Sequence, residues 1–404
     1  MKSFSPRALL PVYSIGVLGA FLQIASAQWD VSAHILGIVE TFFTPAHAVL
    51  YAGIGLVALA NLQGVRLRLA HGQNSRYTSL LGGLRVAVVG TELQLVAAPI
   101  DLYWHTAYGF DPFLFTPAHS ILIVGVVLGG IGMTLGAIRL LQAQRAGQQI
   151  TARPRLLTAV VVLGLASMWG QFNFLGYWLT DLSGMAYTLG ICSIEVFRSF
   201  TRCEFASQFS LVSELVSFGI FAATGTFFFW TTKKLFRRTG VATLTASILA
   251  AVYGGLAIGF MAYAMAFMDP PGSFYLRNPS PQAGAALAGL IPIYLLALVP
   301  IFLLDFAIRN SIQKRVLVRL SALVGPFAAF IDGRYATGII GSDLSVLLAA
   351  TIPTVVGGLL GGLLVTRLGP RLSIAMEVSR MERKASPMIP VKPVDQNAES
   401  VGSR

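Results

Sequence analysis

The sequence predicts an all-α fold, a polytopic transmembrane helix bundle, and three observations predict it. Hydrophobic residues make up 55% of the 404 and charged residues only 11%, with a mean hydropathy of +0.71. A chain so poor in charge matches a membrane solvent rather than water. Apolar runs of about 20 residues, the length that crosses a bilayer core, recur along the whole chain. The first four runs are grouped in two pairs, each pair joined by a linker of the same polar pattern.

Taken in order, the runs fall at 8–28, 44–63, 79–100, 117–140, 155–179, 209–231, 241–268, 287–307, 316–335 and 343–366, a bundle of about ten transmembrane helices. The first follows a short basic flank, Met1 to Arg7, and reads as a retained helix rather than a cleaved signal, because Asp30 beyond it belongs to a repeat. The second and fourth open with Thr-Pro, at Thr44-Pro45 and Thr116-Pro117, which suits a cap and a first helical position. Gly82-Gly83 and Gly129-Gly130 in the third and fourth read as surfaces for close helix packing. The ninth run is interrupted by Arg319 and Pro326 and ends at Asp332 and Arg334.

Between the runs, four regions separate. Residues 1–141 hold the two paired hairpins; 142–155 (QAQRAGQQITARPR) form a polar, basic link; 156–370 hold six helices and no histidine; 371–404 form a polar tail with Pro387, Pro390 and Pro393, expected to be largely disordered. Two long connections, about 180–208 and the proline-rich Asp269 to Gln282, are expected to lie outside regular helix.

Basic residues set the orientation. With the amino terminus inside, Lys and Arg concentrate on the cytoplasmic side, in residues 1–7, Arg66 to Arg76, Arg139 to Arg155, Lys233 to Arg238, Arg309 to Arg319 and the tail. Arg198, Arg202, Arg277 and Arg334 fall outside, and Arg85 lies within a helix. This asymmetry is what positive-inside sorting produces, and it predicts a multi-pass plasma-membrane protein with both termini cytoplasmic. The net charge of +12 is spread over short loops that face anionic lipid, with no basic stripe interleaved with aromatics, so nucleic acid is not an expected partner.

Four of the five histidines then occupy two copies of one pattern, Asp30-x3-His34-x12-His47 and, 71 residues on, Asp101-x3-His105-x13-His119. A spacing of four puts Asp30 with His34, and Asp101 with His105, on one face of a helical turn. His47 and His119 fall in the first turn of the next helix, where the positive helix end favours neutral imidazole with a lone pair to donate. Two imidazoles and a carboxylate leave coordination positions open, and copper, iron(II) and zinc all suit such a set. The first four helices thus read as a duplicated metal-binding hairpin with its sites toward the extracytoplasmic side. The plain alternative is capping and polar interface packing.

Glu40, Thr41, Tyr103, Tyr108 and Asp111 are candidates to orient the imidazoles. Glu92 and Gln94 lie inside the third run and are expected to hydrogen-bond within the bundle. His71, in a basic loop, is expected to be solvated, and Glu195, Glu204 and Glu214 to be solvated or to stand behind the ligands. The two cysteines, Cys192 and Cys203, fall in an outer segment where a disulfide is a simpler reading than a thiolate metal site.

The segment from Asp30-Val-Ser-Ala-His34 to Thr44-Pro-Ala-His47 resembles the metal-site segment of the C subunit of copper-dependent membrane monooxygenases, the particulate methane and ammonia monooxygenases. The second copy resembles that family's downstream site, with Asp101 where the family has asparagine. The resemblance covers roughly residues 10–140 and none of the six-helix half. It implies one copper site at Asp30, His34 and His47, and a neighbouring one at Asp101, His105 and His119. It also implies oxidation of a small apolar or neutral substrate arriving through the bilayer, and other membrane subunits or a homo-oligomer as partners. Metal uptake, delivery or sensing without catalysis is the competing reading, and a structural subunit a third. The second half offers few ionisable or thiol residues to continue a path, Asp305 and Arg319 being near inner ends. No flavin, haem or cluster motif is present, so an oxidase would take electrons from a quinol or a partner.

Overall fold

The computed structural model describes residues 6–35, 44–71, 80–108, 116–148, 150–180, 201–267, 297–308, 313–329, 331 and 349–368. Among the described residues a 3-10 turn at Pro6–Ala8 leads into ten helices: α1 (Leu9–Ile35), α2 (Pro45–His71), α3 (Gly82–Tyr108), α4 (Pro117–Arg145), α5 (Pro154–Thr180), α6 (Thr201–Phe236), α7 (Val241–Phe267), α8 (Ala297–Ala307), α9 (Lys314–Ala329) and α10 (Ala349–Leu368). Among the described residues seven helices, α1 to α6 and α10, are long and apolar enough to cross a membrane. The all-helical, multi-pass membrane character expected from composition is therefore present, and its apolar helices suit a lipid bilayer.

Several boundaries differ from the sequence reading: α1 and α2 run on to Ile35 and His71, past apolar runs that end at 28 and 63. α3 runs on past residue 100 to Tyr108, and α6 is 36 residues long, beginning well before its apolar run. α9 has only 16 residues, and it is amphipathic. Lys314, Arg315 and Arg319 are exposed, while Leu317, Ser321 and Val324 are buried, so its polar face breaks the apolar run. The basic link is partly helical, because α4 continues to Arg145. There Gly147 takes a positive φ of 85°, and the Gln144 side chain accepts from the backbone N–H groups of Ile150 and Thr151 at 2.8 and 3.0 Å. The outer connections at 181–200 and 268–296, Cys192 among them, and the tail from 369 lie outside the described residues, as do the side chains of Cys203, Glu204 and Glu214.

α1 is the hub of the packing. It contacts α2, α4, α5 and α7, while α3 pairs with α4 and α2 touches α3. Backbones come close where glycines face each other: a Cβ on Gly19 would stand 2.7 Å from the Gly53 carbonyl oxygen, and one on Gly90 would stand 2.6 Å from that of Gly125. Such contacts permit only glycine and give the dense van der Waals packing that holds membrane helices together. Behind them a common core of Tyr13, Met133, Trp169, Phe228 and Trp230 joins α1 and α4 to α5 and α6, with Trp169 stacked on Phe228 at 6.4 Å. A smaller cluster of Tyr177, Phe218, Phe221, Ala329 and Ala350 joins α5 and α6 to α9 and α10.

Candidate functional site

Both copies of the Asp/His pattern sit where the sequence reading puts them on the backbone. Asp30 and His34 lie in the last turns of α1, Asp101 and His105 in the last turns of α3, and His47 and His119 are the third residues of α2 and α4. The threonine caps form identically. The Thr44 and Thr116 hydroxyls each accept from the backbone N–H of the histidine three residues on, both at 3.3 Å, and Thr116 has the extended backbone of an N-cap (φ −115°, ψ 162°). Capping fixes the first helical turn and with it the direction of each imidazole.

Each histidine then meets the carboxylate of its own copy. His47 Nε2 stands 3.2 Å from Asp30 Oδ1, and His119 Nε2 stands 3.6 Å from Asp101 Oδ1. His47 and Asp101 are each 5% exposed, so these are polar groups taken almost fully from solvent. All four side chains border one cavity of about 50 Å³ enclosed by α1, α2, α3, α4 and Phe174 of α5. That is space for about three or four water-sized groups. The side chains of His34 and His105 lie outside the described residues, and among the described residues no three His, Cys, Asp or Glu side chains form a metal-holding group.

The distances allow one ion within each pair. Nitrogen and oxygen donors bind first-row metals at about 2.0–2.1 Å, so two ligands of a tetrahedral ion stand about 3.4 Å apart. The observed separations bracket that value. The same spacing serves an imidazole–carboxylate ion pair, which is the arrangement the side chains make by themselves.

Other expected residues divide. Tyr103 is 66% exposed and does not line the cavity, α3 continuing as helix through it. Glu92 is exposed on the outer side of α3, next to the exposed Val89, Leu95 and Val96, rather than hydrogen-bonded inside the bundle. Gln94 is fully buried and does bond within the bundle. Glu40, Thr41, Asp111 and Glu195 lie outside the described residues, as does the side chain of Tyr108.

Two polar groups were not anticipated. Gln23 lies seven residues before Asp30, is fully buried and lines the cavity; its offset from Gln94 is the same 71 residues that separates Asp30 from Asp101, which is the signal that could have found it. The other is an ion pair. Lys233 donates to Asp305 Oδ1 at 2.8 Å and to the Asp305 carbonyl oxygen, with Lys233 2% exposed and Asp305 not at all. Lys233 was grouped with solvated loop charges, yet α6 extends through it and α8 supplies its counterion.

No protein-family model, no curated protein and no solved structure matches this chain. The fold and site define a class only: a chain that is helical in its described residues, with seven spans among them apolar enough for a membrane and two His–Asp pairs on a shared cavity.

Proposed function

We propose that this chain is an integral membrane metal-binding protein whose two hairpins, α1–α2 and α3–α4, arose by duplication and each contribute an Asp-His-His set. The supporting observation is the convergence of Asp30 with His47 and of Asp101 with His119 on one cavity at donor separations that suit a bound ion. Copper is the first choice of metal, with iron or zinc the alternatives. The resemblance of residues 10–140 to the monooxygenase C subunit favours copper and an oxidoreductase role.

Within this reading Asp30 and Asp101 provide anionic donors that offset the ion's charge in a dry setting, where a bare ion is costly. His47 and His119 provide neutral donors, held by the threonine caps so that little reorganisation accompanies binding. His34 and His105, one helical turn beyond each aspartate, complete the sets. Copper bound here would supply one-electron redox chemistry; the protein's own part is to hold ligands still, keep positions open and exclude bulk water with Ile24, Leu50, Ile123 and Phe174. The pairs are placed at the extracytoplasmic ends of their helices, with both termini of the protein cytoplasmic and about ten spans in all.

The test is metal content together with electron paramagnetic resonance on protein purified in native-like lipid. Bound copper(II) with coupling to two nitrogens, lost in His34→Ala and in His105→Ala, is the expected result. Stoichiometric zinc would remove the redox role, and absence of any tightly bound metal would remove the site.

A further inference from the structure

Gln23, which lines the cavity, and Gln94 behind it form a chain whose direction is fixed. Gln94 Nε2 donates to the Gly125 carbonyl oxygen at 2.8 Å, and a backbone carbonyl can only accept. Gln94 must therefore turn Oε1 toward Gln23, and Gln23 must answer with Nε2, at 2.9 Å. The remaining atom is Gln23 Oε1, buried and without a hydrogen-bond partner among the described residues. Neither amide can be flipped without setting two donors or two acceptors against each other.

The two glutamines hold equivalent places in their hairpins. Gln23 Cγ stands 2.9 Å from where a Cβ on Gly53 would be, and Gln94 Cγ stands 2.8 Å from the corresponding point at Gly125. Yet a single amide-to-amide hydrogen bond has a donor end and an acceptor end, so two equivalent residues joined by it cannot stay equivalent. One oxygen is left over, and it belongs to the residue that lines the cavity. Gln23 lies seven residues from Asp30 along α1, about 10 Å deeper at 1.5 Å per residue. Ile24, Ala27, Ile123 and Val126 wall the space between.

We propose that Gln23 Oε1 is the acceptor that selects the molecule entering this cavity: a neutral compound of few heavy atoms bearing one O–H or N–H, with its apolar part against Ile123 and Val126 and its donor on Gln23. A buried acceptor left unmet disfavours a pure hydrocarbon there. The proposal rests on the cavity being the functional site, and it concerns its ligand rather than its metal.

An isosteric pair of probes tests it, 2-fluoroethanol against 1-fluoropropane, followed by fluorine NMR saturation transfer on metal-free protein in lipid nanodiscs. The ratio of their affinities is expected to shift about tenfold toward 1-fluoropropane in Gln23→Met, which keeps side-chain volume and removes the acceptor. An unchanged ratio would overturn the proposal. On wild-type protein carrying ¹³C-labelled glutamine, infrared difference spectra are expected to show a side-chain carbonyl shifted to lower frequency by 2-fluoroethanol and unmoved by 1-fluoropropane. No such shift would also overturn it, whether or not Gln23→Met folds. Metal content of the same samples separates the two ideas: Asp30→Ala is expected to lose metal yet keep the probe preference, and Gln23→Met to do the reverse.

Discussion

The two halves of the molecule both bury charge, and they do so in opposite ways. In the second half Asp305 is closed off: Oδ1 takes Lys233, and Oδ2 takes the backbone N–H and hydroxyl of Thr243 at 3.0 and 3.1 Å, in the first turn of α7. Every strong interaction is spent within the protein, with a carboxylate also meeting the positive end of a helix. In the first half the aspartates and histidines line an internal space, and deeper along α1 the Gln23 side-chain oxygen has no hydrogen-bond partner among the described residues. The closed cluster holds helices together, whereas the His–Asp pairs of the first half also border a space.

Substitutions can break or sharpen that contrast. The largest loss is expected at the closed cluster: Asp305→Ala leaves a buried ammonium unpaired and should destabilise by about 3–5 kcal/mol, seen as a lowered midpoint in detergent-titrated unfolding. Lys233→Met combined with Asp305→Leu should recover most of it, and a harmless Asp305→Ala would erase the distinction between the halves. Next, Gly90→Ala should cost about 1–3 kcal/mol, because its methyl would press on the α4 backbone at Gly125 and Gly129; circular dichroism melts would report it. His47→Ala and His119→Ala are expected to lower metal-free stability by about 1–2 kcal/mol, less than at Asp305, while reducing copper affinity at least about tenfold in competition with a chelator. The smallest effect is expected at the caps, about 1 kcal/mol each for Thr44→Ala and Thr116→Ala, with the two alike because their hydrogen bonds are alike. Unequal losses would show that the hairpins differ where their geometry says they match.

Much of this was legible from sequence and some was not, for physical reasons. Helical spans follow from apolar length, and α4 and α5 begin where their apolar runs begin because an apolar core and an apolar solvent select the same residue types. The caps were legible because Thr-Pro is a local signal, complete within one turn. α9 was misjudged because an apolar average hides an amphipathic pattern, in which Arg319 and Leu317 face opposite ways. Tyr103 is exposed and not on the cavity that Asp101 lines because residues two apart on a helix do not share a face. The Lys233–Asp305 pair was invisible because its partners are 72 residues apart and nothing local links them. Gln23 lay within reach of the repeat alignment, but a polar residue amid an apolar run gives no direction until its neighbour's bonds are known.

The closed pair also bears on how the chain reaches its final topology. Synthesis proceeds from the amino end at about 5–20 residues per second, so Lys233 leaves the ribosome several seconds before Asp305 is made. During that interval it is an unneutralised cation beside Lys234, Arg237 and Arg238, and cations that flank a membrane helix resist translocation. Once α8 arrives the same ammonium is paired with Asp305 and becomes interior packing, so a charge that resists translocation while the sixth helix is being made is afterwards withdrawn from the surface.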